Sequence, residues 1–174
     1  MSDGRLWCWG SNVGPGLLGV REPDTRATWI SSIGDAVDVI SAPGGTCVRT
    51  RDDGVVCFAS ALAVLKDLDR GTDLTTPGRL RGIADVTALG LSVNMFCVKA
   101  RNGAVKCREY RRDGWSALAA VADTKDVVSL SAGSGYACGL RATGAVVCWG
   151  GNAEAQLGDG THESRASAGA VRFP

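Results

Sequence analysis

Cys47 and Cys57, Cys97 and Cys107, and Cys138 and Cys148 form three pairs, each with nine residues between its members, and Cys8 is the one cysteine of seven left over. A chain that keeps one spacing three times is repeating a unit, and repetition restricts the fold more sharply than composition does. The neighbours of each pair agree. "DVISAPGGTCVRTRDDGVVCFAS", "DVTALGLSVNMFCVKARNGAVKCREY" and "DVVSLSAGSGYACGLRATGAVVCWGGN" share Asp-Val, an apolar strand, a loop, cysteine, a glycine turn and a second strand ending in cysteine. The N-terminal "SDGRLWCWGSN" is the second half of the same unit. Cys8 is therefore expected to be the second member of a pair whose first member would precede residue 1, so the chain reads as a stretch of a longer array. Equivalent second cysteines (Cys8, Cys57, Cys107, Cys148) are 49, 50 and 41 residues apart, too long for leucine-rich or ankyrin repeats and suited to β-propeller blades.

The nine-residue spacer has a geometric reading. Three strand residues on each arm of an antiparallel hairpin leave a three-residue loop and set the two cysteines directly opposite each other. Arg101-Asn102-Gly103 and Ala142-Thr143-Gly144 place glycine third, where a type I turn followed by a left-handed residue needs it. In the first unit glycine comes one residue later, after Arg51-Asp52-Asp53, so a longer turn is expected there. Opposed cysteines lie at about the separation a disulfide requires. The alternative is three pairs of buried thiols packing as small hydrophobes. One spacing kept three times favours the disulfides Cys47–Cys57, Cys97–Cys107 and Cys138–Cys148, with Cys8 unpaired.

With 24 glycines, five tryptophans, two methionines and many Val, Ala, Ser and Thr, the chain favours short strands punctuated by turns. The fold class expected is all-β: a partial β-propeller of about three and a half antiparallel units, bounded near residues 3–52, 53–101, 102–142 and 143–174, in a single repeat domain. Nineteen basic and eighteen acidic residues leave a net charge of +1, which gives no global pull toward nucleic acid or an anionic membrane. No apolar run reaches the length of a membrane span, and the N-terminus has no apolar signal segment.

The residues resemble the regulator of chromosome condensation repeats, in their bacterial, cysteine-paired form. Asp3-Gly4 through Trp9-Gly10, Asn12 and Leu18-Gly19 carry the resemblance at the start. Gly144 through Trp149-Gly150, Asn152, Gln156-Leu157-Gly158 and Asp159-Gly160-Thr161 carry it at the end. "CFASALAVLKDLDRG" and "CREYRRDGW" depart from the pattern, and the histidine usual before the first cysteine is absent from all three units. The resemblance implies a seven-bladed propeller of four-stranded blades, about 350 residues at this period, so this chain would supply half. It also implies binding rather than catalysis, since the family includes a nucleotide-exchange factor for a small GTPase and a bacterial β-lactamase inhibitor.

Candidate sites are few. His162, the sole histidine, would have to carry any triad alone, and it reads as a solvated loop residue. "LGDGTHE" brings Asp159, His162 and Glu163 together without the alternating oxygen ligands a calcium loop needs, so no metal is expected. Nothing suggests a cofactor. Lys106, Arg108, Arg111 and Arg112, interleaved with Tyr110 and Trp115, have a composition able to touch phosphate or bases, and read first as a solvated strand end. Trp7, Trp9 and Trp149 alternate with cysteine and are expected to pack between blades. Trp29 and Trp115 lie outside that motif and, with Tyr110, Arg111 and Arg112, are the residues expected to meet a partner. "SALAVLKDLDRG", residues 60–71, with Leu62, Leu65 and Leu68, suggests a short helix on a loop.

These observations point to a non-catalytic module that binds another protein, with nucleic acid disfavoured and ends covered by further blades or by self-association. Disulfide-like pairs argue for an extracellular or cell-surface bacterial repeat protein over an intracellular exchange factor. An accessory domain of a larger enzyme and a glycan-binding repeat are the other readings.

Overall fold

The computed structural model describes residues 3–9, 26–43, 45–59, 77–112 and 114–172, with only the backbone of Ala59, Gly114 and Trp115. The region read as a helix, 60–71, lies outside them, as do Asn12 and Leu18-Gly19. All described elements are strands and turns. The chain divides into two compact units, Met1–Asp85 and Val86–Pro174.

In the first unit β1 (Trp7–Cys8) pairs with β2 (Thr28–Trp29), Cys8 opposite Thr28. An antiparallel sheet follows in chain order: β3 (Ala36–Ala42), β4 (Gly45–Thr50), β5 (Val55–Ala59) and β6 (Gly78–Arg79). Leu6, Ile30 and Ile33, which flank the strands of the small sheet, pack with Val48 and Phe58 from the larger one, and Cys8 and Val56 pack against this core.

The second unit holds two such sheets. The first runs β7 (Val86–Leu91), β8 (Met95–Ala100), β9 (Val105–Arg111), with β10 (Gly114–Trp115) and β11 (Ala119–Val121) both pairing with β9. The second runs β12 (Val127–Gly133), β13 (Tyr136–Arg141), β14 (Val146–Gly150), β15 (Arg165–Ala170). The fold is thus the expected one, an all-β partial propeller of four-stranded antiparallel blades. The unit that is nine residues short keeps its fourth strand because β11 follows β9 after a single small excursion.

The register explains the repeat. Cys47 opposes Cys57, Cys97 opposes Cys107 and Cys138 opposes Cys148. All three pairs are disulfides, with Cα–Cα distances of 4.1, 4.1 and 4.0 Å. Eleven residues before each first cysteine the opening strand pairs once (Ala36 with Thr50, Val86 with Ala100, Val127 with Arg141) and then bulges by one residue. This corrects the sequence alignment of the first unit. Asp35-Ala36, not Asp38-Val39, occupies the place of Asp85-Val86 and Asp126-Val127, and the carbonyls of Asp35 and Asp126 accept matching bonds from Arg51 N (2.9 Å) and Ala142 N (3.0 Å).

The hairpin turns correct a second expectation. The first hairpin is no longer than the others: Thr50 N bonds Gly54 O (3.0 Å) and Asp53 N bonds Thr50 O (2.9 Å), matched by Ala100 with Ala104 and Gly103, and by Arg141 with Ala145 and Gly144. All are three-residue loops ending in a left-handed residue. Asp53 takes that conformation (φ 58°) where Gly103 and Gly144 have φ 87°. Asp is among the few side chains that tolerate it, and the Asp53 carboxylate is held 3.3 Å from Arg49 Nη1. The residue before it caps the turn in every case, with Asp52, Asn102 and Thr143 accepting from Gly54 N (3.3 Å), Ala104 N (3.0 Å) and Ala145 N (3.5 Å).

In the second unit the two blades pack face to face around Met95, Cys97, Val105, Val127, Leu130, Ala137, Val147 and Trp149. Polar bonds fix their alignment: Ser92 Oγ to Gly133 O (2.7 Å), Gly135 N to Asn94 Oδ1 (2.8 Å) and Ala168 N to Ala122 O (3.2 Å). Trp149 is 2% exposed and donates from Nε1 to Cys107 Sγ (3.4 Å), so one blade's tryptophan rests on the other blade's disulfide. Trp7 and Trp9 differ from the expectation. They are 38% and 70% exposed, because Trp149 has a sheet against it and, among the described residues, no sheet covers that side of β1.

Candidate binding cleft

The loop between β14 and β15 carries the most distinctive stretch of sequence, and its geometry accounts for each residue type. Asn152 is fully buried and uses its whole amide. Leu157 N donates to its Oδ1 (2.9 Å), while its Nδ2 donates to Thr161 O (2.9 Å), Glu163 O (3.2 Å) and Asp159 Oδ1 (3.3 Å). Asp159 Oδ1 also accepts from Thr161 N (2.9 Å) and Thr161 Oγ1 (2.7 Å), and its Oδ2 pairs with Arg165 Nη1 (2.9 Å). The Thr161 hydroxyl and amide, with Arg165 and Asn152, hold the Asp159 carboxyl below its usual range. Gly150 (φ 104°) must be glycine, since a Cβ there would stand 2.5 Å from Gly135 O. Gly151 N donates to that same carbonyl at 2.7 Å.

Arg165 carries this clip into the sheet, donating from Nε to Cys148 O (3.0 Å) and from Nη2 to Gly169 O (2.7 Å). Its other side helps to line a cleft of about 570 Å³ between the two blades of the second unit. Met95, Cys107 and Trp149 form an apolar, sulfur-rich floor. Small residues, among them Ala119, Ala120, Gly151, Ser164 and Ala166, leave the walls open, and Arg108, Glu109, Arg111 and Arg165 supply charge. β11 on one wall pairs only with β9, and β15 on the other only with β14. Each therefore has a second edge without a strand partner among the described residues.

The sequence-predicted contact residues do not converge. Arg111 lines the cleft, exposed, with its Nη2 3.1 Å from Glu109 Oε2. Tyr110 (47% exposed) and Arg112 are also exposed, near the end of β9. Trp115 lies opposite Tyr110 in the ladder, and its side chain is outside the described residues. Trp29, 46% exposed, is in the other unit. It pairs with Trp7 at 6.5 Å between ring centroids, with Arg5 over its face at 5.4 Å. Arg108 is a correction to the basic stretch. It is 6% exposed, with its guanidinium 5.5 Å from the Phe96 ring, so it belongs to the wall and not to a solvated patch. His162 is an exposed loop residue whose Nδ1 lies 2.9 Å from Ala153 O. Among the described residues no three His, Cys, Asp or Glu side chains converge as a metal site.

Sequence reasoning missed the cleft because its walls come from β9, β11, β14 and β15, far apart in the chain. The one signal was the run of small residues in "SALAAVA", which reads equally as a strand.

Residues 127–156 match the regulator of chromosome condensation (RCC1) repeat. No curated protein sequence matches the chain. Solved structures similar in fold include human WBSCR16 (TM-score 0.76, 18% identity, 100% of this chain and 50% of that one). Prp20p from Saccharomyces cerevisiae, whose binding to Gsp1p and histones has been characterised, gives a TM-score of 0.77 at 13% identity over 98% of this chain and 47% of that one. Yeast RCC1 (Prp20) in its complex with Kap60 gives 0.74 at 12% identity, covering 98% and 45%. The chain thus spans about half the length of these propellers. Residues 127–156 thus carry a repeat of the regulator of chromosome condensation type, and the four-stranded blades with their shared register give the chain the β-propeller fold of these structures.

Proposed function

We propose that the chain is a non-catalytic, protein-binding propeller segment working in an oxidising compartment, outside a bacterial cell or at its surface. The observation that carries the reading is the set of three register-locked disulfides. Such bonds persist in secreted and surface proteins and are rare where thiols are kept reduced. Support for protein partners comes from the similar folds, since Prp20p binds Gsp1p and histones and yeast RCC1 binds Kap60. The carboxylates with displaced titration are engaged by hydroxyls, guanidinium groups and backbone amides as turn and clip residues, which gives them structural work. Further blades beyond this half propeller, or a second copy, would cover the sheet faces the chain leaves open. The test is chemical crosslinking of the protein in its native source. Crosslinks to a defined protein partner, together with oxidised hairpins, are expected. All hairpin cysteines reduced in that source would overturn the compartment. Exchange of nucleotide on a small GTPase would overturn the role and restore the intracellular exchange-factor reading.

A second reading rests on the exposed Trp7–Trp29 pair and Trp9, which offer apolar ring faces of the kind that stack on sugars. Tryptophan emission titrated with polysaccharides tests it. No change with any of them removes it.

A further inference from the structure

We propose that the cleft of the second unit takes an extended, acidic peptide segment of a protein partner, laid between β11 and β15; this deepens the protein-binding reading and rests on it. Shape comes first. β15 meets the residue that follows β11 at the Ala168 N to Ala122 O bond, and the two strands border the open cleft beyond it. An unpartnered strand edge satisfies its amides and carbonyls by accepting another extended chain. Small wall residues such as Ala119, Ala120 and Ala166 admit that backbone without a clash, and the floor of Met95, Cys107 and Trp149 gives alternate side chains of the peptide an apolar seat.

Charge then selects the peptide. Among the described residues the lining carries three guanidinium groups, of Arg108, Arg111 and Arg165, and one carboxylate, of Glu109. Arg165 is committed to Asp159 and to the carbonyls of Cys148 and Gly169, so it contributes field and not an exchangeable bond. Arg108 is buried in the wall. Arg111 is the exchangeable cation: its side chain is 70% exposed, and it leans on Glu109 two residues away on the same strand. Exposed pairs of this kind contribute at most about 1 kcal/mol. An incoming carboxylate can take the Arg111 fork from Glu109 with bidentate geometry. A basic peptide would instead be repelled by Arg111, the exposed cation of the lining.

The experiment uses the full oxidised chain and two terminally blocked, dye-labelled peptides, one alternating glutamate with valine and one with lysine in place of glutamate. Anisotropy titrations are expected to give saturable binding of the glutamate peptide that weakens as salt rises, and none of the lysine peptide. Arg111→Glu is expected to weaken binding about tenfold, and Ala120→Trp, which fills the cleft, to abolish it. Should Ala120→Trp fail to fold, the exposed Arg111→Glu decides alone. Equal binding of the two peptides, no binding of either, or binding unchanged in Arg111→Glu would each overturn the proposal. A crosslinked protein partner that binds Arg111→Glu as it binds wild type would leave the protein-binding module standing and remove only the cleft as its site.

Discussion

Asn152 shows how one side chain can hold a loop that has no regular structure. Its buried amide serves as the centre of the turn from Gly151 to Ser164, and Ala there leaves Leu157 N and two carbonyls without their partner. Asn152→Ala is expected to destabilise the fold by about 3 kcal/mol, measured by urea unfolding. The hairpin loops give a paired test. Gly103→Ala forces a left-handed alanine whose Cβ stands 2.8 Å from Lys125 O, and is expected to cost about 2 kcal/mol. Asp53→Gly relaxes the same backbone state while losing the Arg49 pair, and is expected to fall within about 0.5 kcal/mol of wild type. Asp52 carries the acid sensitivity of the first hairpin. The Thr50 hydroxyl (2.6 Å), then Arg79 (2.6 Å), lower its carboxyl to about 2. Because the folded value lies below the unfolded one, its stabilisation is complete above about pH 4 and is lost as pH falls toward 2. Thermal melts of Asp52→Asn should therefore fall less steeply than wild type across that window. Much of this was legible in the sequence: glycine at the third loop position predicted the left-handed residue. The Asp53 substitution was not, since an aspartate only reads as a glycine equivalent once the bond from Thr50 N to Gly54 O shows that Gly54 lies beyond the three-residue loop.

Each blade is built from the same hairpin, and the cysteine spacing alone specified its register. What the spacing left open was the order in which partners meet beyond it. Asp38-Val39 looks like Asp85-Val86, yet the bulge after Ala36 puts Asp35 in the matching place, because strand alternation fixes which neighbour faces in. The tryptophans divide on the same principle. Trp149 lies under a neighbouring sheet and against the Cys107 sulfur, whereas Trp9 occupies the same motif with no sheet over it among the described residues. Alkylation of the denatured, unreduced protein is expected to label one thiol, at Cys8, whose burial already pushes its titration up. Replacing Cys97 and Cys107 together by alanine should destabilise the second unit by about 2 to 3 kcal/mol in chemical unfolding, since a ring of that size restricts the unfolded chain by about that amount.

For the molecule as a whole, composition set the class and repetition set the architecture, but the cleft was not legible: five strands from two blades line it, and no local pattern marks that they meet. Near-balanced charge, with a pI near 7.5, leaves little repulsion between copies carrying exposed Trp7, Trp9 and Trp29. Light scattering at low salt is expected to be greatest near pH 7.5 and to fall by pH 5.5. The disulfides also have a mechanical meaning. Every bridge joins partners only ten positions apart, inside one hairpin, so none ties a blade to its neighbour. Under tension from its two ends the oxidised chain would part between blades while each hairpin stayed knotted, and every knot would withhold about 30 Å of contour length from the stretched thread until a reductant released it.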